Sequence, residues 1–548
     1  MRVLGIEGTA WAASAAVYDD ADDSVFIESD PYQPDSGGLH PREAAEHMGE
    51  ALPQVIDRVL HHAAETATEG PDHDAVDADN PYAVDAVAFS RGPGLGPCLR
   101  TVGTAARAAA QSLGVPLVGV NHMVAHLEIG RHQSGFESPV CLNASGANAH
   151  LLGFHNGRYR VLGETMDTGV GNAIDKFTRH LDWSHPGGPK VEEAAKDGEY
   201  VDLPYVVKGM DFSFSGIMSA AKQAVDEGEV VEDVCCGLQE NIFGMLTEVT
   251  ERALSLTGSD ELVLGGGVGQ NRRLQAMLEE MCEQRGADFF APEDRFLRDN
   301  AGMIAVLGAR MLAAGDTVAV EDSAVDPNFR PDEVPVTWRS GEAVGRPVRE
   351  EAEVQGAEAT VTMEPDRVVK RRLPRSYRHP RLDERLRRER TREEARLTSE
   401  ARRAGVPTPV LFDVDVAEAT LVFERVGDRD LRAGLTASAV RDVGRHLATC
   451  HEHGFVHGDP TTRNVRVTAG EDDRAGSGRT YLIDFGLGYY TDDVEDYAMD
   501  LHVFAQSLAG TADDPGALLA AAEDAYRSVG SERVVDHLRE IEGRGRYQ

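Results

Sequence analysis

The chain has 548 residues, 41% of them hydrophobic and 27% charged, which is too long for one core and ordinary for globular protein. Its formal net charge of −38 is not ordinary. Lysine is confined to Lys176, Lys190, Lys196, Lys208, Lys222 and Lys370, so the carboxylate excess reads as solvation in brine rather than as a statement about partners. The six cysteines form no Cys-x-x-Cys pair, which excludes zinc ribbons and thioredoxin-like chemistry.

The opening "MRVLGIEGTA" starts a strand at once and has no signal-peptide core, and no apolar run reaches about 18 residues. A cytoplasmic, soluble protein with no membrane partner is expected. Strand "VLGI" turns through Glu-Gly-Thr into "WAASAAVY"; later "CLNAS" and "HLLGF" flank "GANA" in the same style. "VDAVAFS" enters "RGPGLGP" and a helix, and "ELVLGGGVGQN" repeats that plan. Strand, glycine loop and helix let backbone N–H groups approach a phosphate. The repetition predicts a duplicated, two-lobed α/β nucleotide-binding fold over residues 1–325.

Within it, "GVNHMVAHLEIGR" puts His122 and His126 four positions apart, on one face of a predicted helix. That spacing suits a metal clamp. A zinc peptidase would read His-Glu-x-x-His, with the glutamate activating water. Here Met123 follows the first histidine, so a metallopeptidase is disfavoured.

Residues 326–351 carry four prolines and no period, and are expected as an extended, acidic linker. From Lys370 to Arg403 fourteen basic residues face six acidic ones, which predicts a nucleic-acid or acidic-partner surface, or else a solvated helix laced by i,i+4 pairs. Farther on, "VHGDPTTRNVRV" and "YLIDFGLG" supply what phosphoryl transfer needs. Asp459 suits the carboxylate beside the accepting oxygen. Asn464 and Asp484 suit two magnesium ligands. Lys370 suits the α/β-phosphates of ATP, held by Glu394, and Phe423 and Glu424 sit where a hinge would bind adenine. Gly356 stands alone in a thin glycine loop. "HGD" lacks the arginine that reads an activation loop, and few residues separate "DFG" from "EDYAMDLHVF". A small kinase-like α+β domain over 352–548, acting as kinase or ATPase, is expected.

These C-terminal motifs, with "GAEA" and the terminal "RGR", resemble the small atypical serine/threonine kinase of the KEOPS complex; Pro460 replaces that family's leucine. Upstream, "GIEGTA", "RGPGLGPCLR", "NHMVAH", "GNAIDKFTR", "GGPKVE", "FSFSGI", "GGGVGQNRRL" and "DNAGMIA" resemble, in order, the TsaD-type tRNA threonylcarbamoyladenosine synthases of archaea. The resemblance implies the duplicated actin/sugar-kinase fold. It implies transfer of threonylcarbamoyl from threonylcarbamoyl-AMP to an adenosine beside the tRNA anticodon, with the other KEOPS subunits as partners. It implies one divalent ion, iron before zinc, held by His122, His126 and Asp299. Asp175, Gly188, Glu192 and Asn271 match positions contacting the adenylate, as does the loop Asn143, Ala144, Ser145, Gly146 and Ala147. Asn143 stands where the family has a tyrosine that often adds a metal ligand, and Ala147 where it has glycine. A regulatory scaffold with an active kinase alone is the competing class. For tRNA docking the candidates are the arginine stretch 371–403 and the tail Arg544–Arg546.

Overall fold

The computed structural model describes residues 1–32, 40–69, 80, 82–155, 157–339, 353–355, 359–468 and 478–544. Strands β1 (Arg2–Glu7), β2 (Ala12–Asp19) and β3 (Ser24–Pro31) form an antiparallel meander, followed by helix α1 (Pro41–Glu69), β4 (Ala86–Gly92), α2 (Gly96–Leu113), β5 (Leu117–Asn121) and α3 (His122–Ser134). The sheet order is β3-β2-β1-β4-β5, with β1, β4 and β5 parallel. The plan then repeats. Strands β6 (Val140–Ala144), β7 (Ala149–His155) and β8 (Arg158–Glu164) meander; α4 (Val170–His180), α5 (Gly188–Ala195), the hairpin β9 (Val207–Lys208) and β10 (Asp211–Phe212), α6 (Ser215–Asp226) and α7 (Val231–Thr257) follow. Next come β11 (Glu261–Gly265), α8 (Arg272–Arg285) and β12 (Asp288–Phe290), giving the order β12-β11-β6-β7-β8. Read from its other edge this is the first sheet again, so the duplication expected from the two hairpins is present in the strand order. Helices α9 (Asp294–Leu297) and α10 (Ala301–Ala313) return to the first repeat. There a Cβ on Gly5 would meet the Ala301 carbonyl at 2.3 Å, so only glycine lets α10 lie that close to β1.

The segment expected as an extended linker is folded through Arg339. Asp326 N donates to Arg91 O at 2.8 Å, Val334 and Trp338 pack on the core cluster shared by the two repeats, and the Arg339 guanidinium lies 3.7 Å over the Phe154 ring. Apolar side chains at 334, 336 and 338 drive this packing. Residues 340–351 of the expected linker lie outside the described residues, as does Gly356.

The C-terminal unit has a five-stranded antiparallel sheet: β13 (Glu353–Gln355), β14 (Thr360–Met363), β15 (Arg367–Arg371), β16 (Leu411–Asp415) and β17 (Thr420–Glu424), in the order β13-β14-β15-β17-β16. Helix α11 (Pro380–Arg403) joins this sheet to a helical lobe. That lobe comprises β18 (Arg429–Asp430), α12 (Ala437–Glu452), β19 (Phe455–Val456), β20 (Val465–Val467), β21 (Thr480–Leu482), β22 (Tyr489–Tyr490), α13 (Val494–Thr511), α14 (Pro515–Arg527) and α15 (Glu532–Arg544). This is a bilobal kinase-like arrangement. No helix among the described residues is long and apolar enough to cross a membrane.

The arginine-rich stretch is divided between two environments. Arg371, Arg381, Arg388, Arg392, Arg396, Arg402 and Arg403 are exposed, whereas Arg375, Arg378 and Arg390 are buried against α7. Buried Glu248 binds Arg378 at 2.7 Å, Arg390 at 3.0 Å and the Tyr205 hydroxyl at 2.7 Å, while Glu251 takes Arg375 at 3.1 Å and the Tyr377 hydroxyl at 3.1 Å. At the C-terminal end of α7, Arg463 donates to Ser255 O at 2.5 Å and Arg432 to Leu256 O at 3.2 Å, cations meeting the negative end of the helix dipole. Three of its arginines thus answer buried carboxylates of α7. Arg546 lies outside the described residues.

Candidate active sites

Two sites emerge, one between the repeats and one in the kinase-like unit. In the first, β5 ends at Asn121, whose side chain accepts from Met123 N and Val124 N and so starts α3 at once, at His122. Asn300 does the same for α10 by accepting from Met303 N, which fixes Asp299 just outside that helix. Two asparagine caps thus aim three ligands at one point. His126 Nε2 lies 3.2 Å from Asp299 Oδ1, His122 Nε2 lies 3.3 Å from the same oxygen, and the imidazoles stand edge to face at 4.9 Å. One atom from each of the three lies within 4.8 Å of the others, so a single ion fits between them.

Sequence reasoning missed the residue behind His122. Glu7, fully buried at the end of β1, accepts from Thr9 N at 2.8 Å and from the Ser90 hydroxyl, and sits 3.2 Å from His122 Nδ1. A carboxylate on that nitrogen fixes the ring and directs Nε2 at the metal. The signal was a lone charge closing an otherwise apolar strand. Burial alone would lower His122, yet Glu7 and then Asp299 outweigh it and raise it to about 10. Burial opposes ionisation of Asp299 as well, but His122 holds it well below the usual carboxylate range. His126 is kept below its ordinary value by burial and is neutral, as a ligand should be.

Asn143, on β6, is buried; its Oδ1 has no hydrogen-bond partner and faces Gly266, where a Cβ would sit 2.5 Å away. Its neighbour loop is built tightly. Ser145 Oγ donates to Asn148 O at 2.9 Å, while Ser145 O and Gly146 O accept from Gly171 N and Asn172 N at the start of α4. Ala147 keeps an ordinary negative φ, so alanine for glycine costs no strain there. Asp175 accepts from Gly187 N at 2.7 Å and holds the turn into α5 that begins at Gly188. Glu192 accepts from Arg272 N at 2.9 Å, beside Asn271, which caps α8 and reaches Gln239 at 3.3 Å. These four expected adenylate contacts all belong to the second repeat.

In the second site Lys370 Nζ lies 2.9 Å from Glu394 and 2.6 Å from Asp484. Asn464 Nδ2 donates to Asp459 Oδ2 at 2.8 Å. Asp500 of α13 accepts from His457 N and Gly458 N at 2.6 and 2.8 Å, which shapes the loop carrying Asp459. Asp484 has φ +65°, a conformation that asparagine and aspartate tolerate and that functional sites retain. Lysine between two carboxylates, with an amide and a third carboxylate opposite, is the arrangement a magnesium nucleotide needs. One contact was not foreseeable from the motifs: Arg252, on α7 of the other unit, bonds Glu248 at 2.7 Å and lies 3.8 Å from Asp459.

Residues 23–306 match the family model for TsaD, tRNA N6-adenosine threonylcarbamoyltransferase. Over its full length the chain is 70% identical to a "Probable bifunctional tRNA threonylcarbamoyladenosine biosynthesis protein" of Haloarcula marismortui, covering all of that protein. It is 49% identical to the protein of the same name in Methanocorpusculum labreanum, covering 99% of it. Among solved structures, HypF of T. kodakarensis is similar at 12% identity and a TM-score of 0.41, over 59% of this chain and 48% of that one.

Proposed function

Because this chain belongs to the family of bifunctional tRNA threonylcarbamoyladenosine biosynthesis proteins, we propose that its first unit is a metal-dependent transferase and its second an ATP-hydrolysing serine/threonine kinase supporting it. The first carries threonylcarbamoyl from threonylcarbamoyl-AMP to N6 of the adenosine next to the anticodon in tRNAs reading ANN codons. The second supports or regulates that reaction in a KEOPS assembly. The observation that carries the reading is the meeting of His122, His126 and Asp299 within 4.8 Å, with no further His, Cys, Asp or Glu among the described residues in the group.

The donor set is two imidazoles and one carboxylate, which fits iron(II) or zinc and leaves positions open. A divalent ion there would polarise the carbamoyl carbonyl as a Lewis acid. Asp175, Glu192 and Asn271 orient the adenylate on the second repeat, and the loop from Asn143 to Ala147 holds its carbamoyl-phosphate region. In the transfer the N6–C bond forms, the bond from carbonyl carbon to phosphate oxygen breaks, and AMP leaves.

In the kinase-like unit Lys370 binds the α/β-phosphates, Glu394 positions Lys370, Asn464 and Asp484 take magnesium, and Asp459 orients the attacking hydroxyl or water. Supplying threonylcarbamoyl-AMP and tRNA without ATP should give modified adenosine and AMP in equal amounts by mass spectrometry. ATP hydrolysis with no transfer would instead favour the scaffold reading. Asp484→Ala should lower ATP hydrolysis by about a hundredfold or more, as loss of a metal-held charge clamp does, while single-turnover transfer stays intact. Hydrolysis at the wild-type rate would remove Asp484 from the magnesium site. Unchanged multiple-turnover modification would remove the kinase from powering the synthase.

A further inference from the structure

The expected donor contacts all lie on the second repeat, so the acceptor must reach the same carbonyl from elsewhere. A groove of about 390 Å³ opens on the first-repeat side of the metal site, and Asp299 itself lines it together with Asn300, Ile27, Trp11, Arg295 and Arg298. That volume is in the range that accepts a small organic ligand. Trp11, on the turn between β1 and β2, is half-buried. The exposed Arg298 holds its guanidinium 5.6 Å over the indole and donates to Gln270 at 2.9 Å, and exposed Arg295 reaches Val25 O at 3.0 Å. Arg295 also pairs with Glu293 at 2.8 Å. An indole with one guanidinium over it, and a second arginine lining the same groove beside Asp299, offers a stacking surface and cations to an extruded base and its phosphate. The composition strengthens the point. In brine, phosphate contacts lose most of their free energy to counterion competition, whereas stacking does not depend on it. The arginines of the 371–403 stretch that dock on α7 are buried against it and are not available to RNA.

We propose that this groove receives the acceptor nucleoside of the RNA, its purine stacked on Trp11 and a flanking phosphate held by Arg298 and Arg295, so that N6 faces Asp299. The proposal rests on the transferase reading above.

The test uses the full chain loaded with metal, threonylcarbamoyl-AMP and an anticodon stem-loop RNA, in molar KCl. Trp11→Ala should raise KM for the RNA about ten- to a hundredfold, the range for losing one base stack, with kcat changed far less. Trp11→Phe should restore most of the affinity, since a phenyl ring still stacks. Quenching of tryptophan fluorescence by the RNA should vanish in Trp11→Phe, although Trp183 and Trp338 remain. Arg298→Gln should weaken binding at low salt and matter little in molar KCl. If Trp11→Ala does not fold, the fluorescence and the Arg298→Gln salt series decide. An unchanged KM, or quenching that persists in Trp11→Phe, overturns the groove while leaving the transferase intact. A wild-type protein that transfers nothing to RNA overturns the transferase reading itself.

Discussion

Asp299→Ala is expected to leave the purified protein without its metal and to lower threonylcarbamoyl transfer by about three orders of magnitude. Asp299 Oδ1 lies within 3.3 Å of both histidines. Removing it deletes a ligand and the negative charge that balances a divalent ion beside His122. Lewis-acid polarisation supplies several kcal/mol of transition-state stabilisation, and about 1.4 kcal/mol corresponds to each tenfold in rate. Asp299→Asn should be nearly as damaging, because an amide keeps the shape and loses the charge. Elemental analysis of the variants read beside the transfer rate separates the two effects. Full activity in a metal-stripped wild-type protein, or in Asp299→Ala with no bound metal, would sink the assignment of this cluster.

The second large effect is expected far from either reaction. Glu248→Ala should destabilise the docking of the two units by about 3–5 kcal/mol, the cost of breaking a buried ion pair and leaving its partners uncompensated. Its carboxylate is the shared acceptor of Arg252, Arg378, Arg390 and the Tyr205 hydroxyl. All three guanidiniums are buried, so water cannot replace what is lost. Calorimetry should show one unfolding transition splitting into two or shifting down by several degrees. High salt should not rescue the wild-type interface from comparison, because buried pairs are screened little. The same substitution frees Arg252 from the contact that carries it toward Asp459, so the rate of ATP hydrolysis should change as well. An unaltered melting profile would mean the arginine cluster contributes nothing net to docking.

Much of this architecture was legible in residue order. A hairpin with a small-residue turn, occurring twice, and a strand–glycine–helix unit, occurring twice, are local patterns. Their repetition requires a repeated sheet because each strand must find the same neighbours. The facing histidines were legible for a related reason: four residues along a helix bring His122 and His126 to one face regardless of what surrounds it, whereas Asp299, 173 residues from His126, followed only from the family resemblance. Asp459 and Asn464 were legible because a single loop sets their spacing.

Where reading by composition went astray, the cause was a partner distant in sequence. Arg375, Arg378 and Arg390 look like part of a nucleic-acid surface until Glu248 and Glu251, more than a hundred residues earlier, are found against them. Residues 326–339 look like linker because they lack a period, but Val334 is buried and Trp338 half-buried on a core that both repeats share rather than on one another. Glu7 looks like a turn residue until the fold carries His122 to it.

The sequence by itself determined the duplication, the shared helix face of His122 and His126 and the loop that sets Asp459 beside Asn464, because each rests on contacts or periodicities within a few residues. Only the tertiary structure decided which charges are buried, which carboxylate orients His122, and that Arg252 of one unit approaches Asp459 of the other. Those outcomes depend on electrostatic partners brought together from distant parts of the chain, and a charge in a one-dimensional sequence does not carry its partner with it.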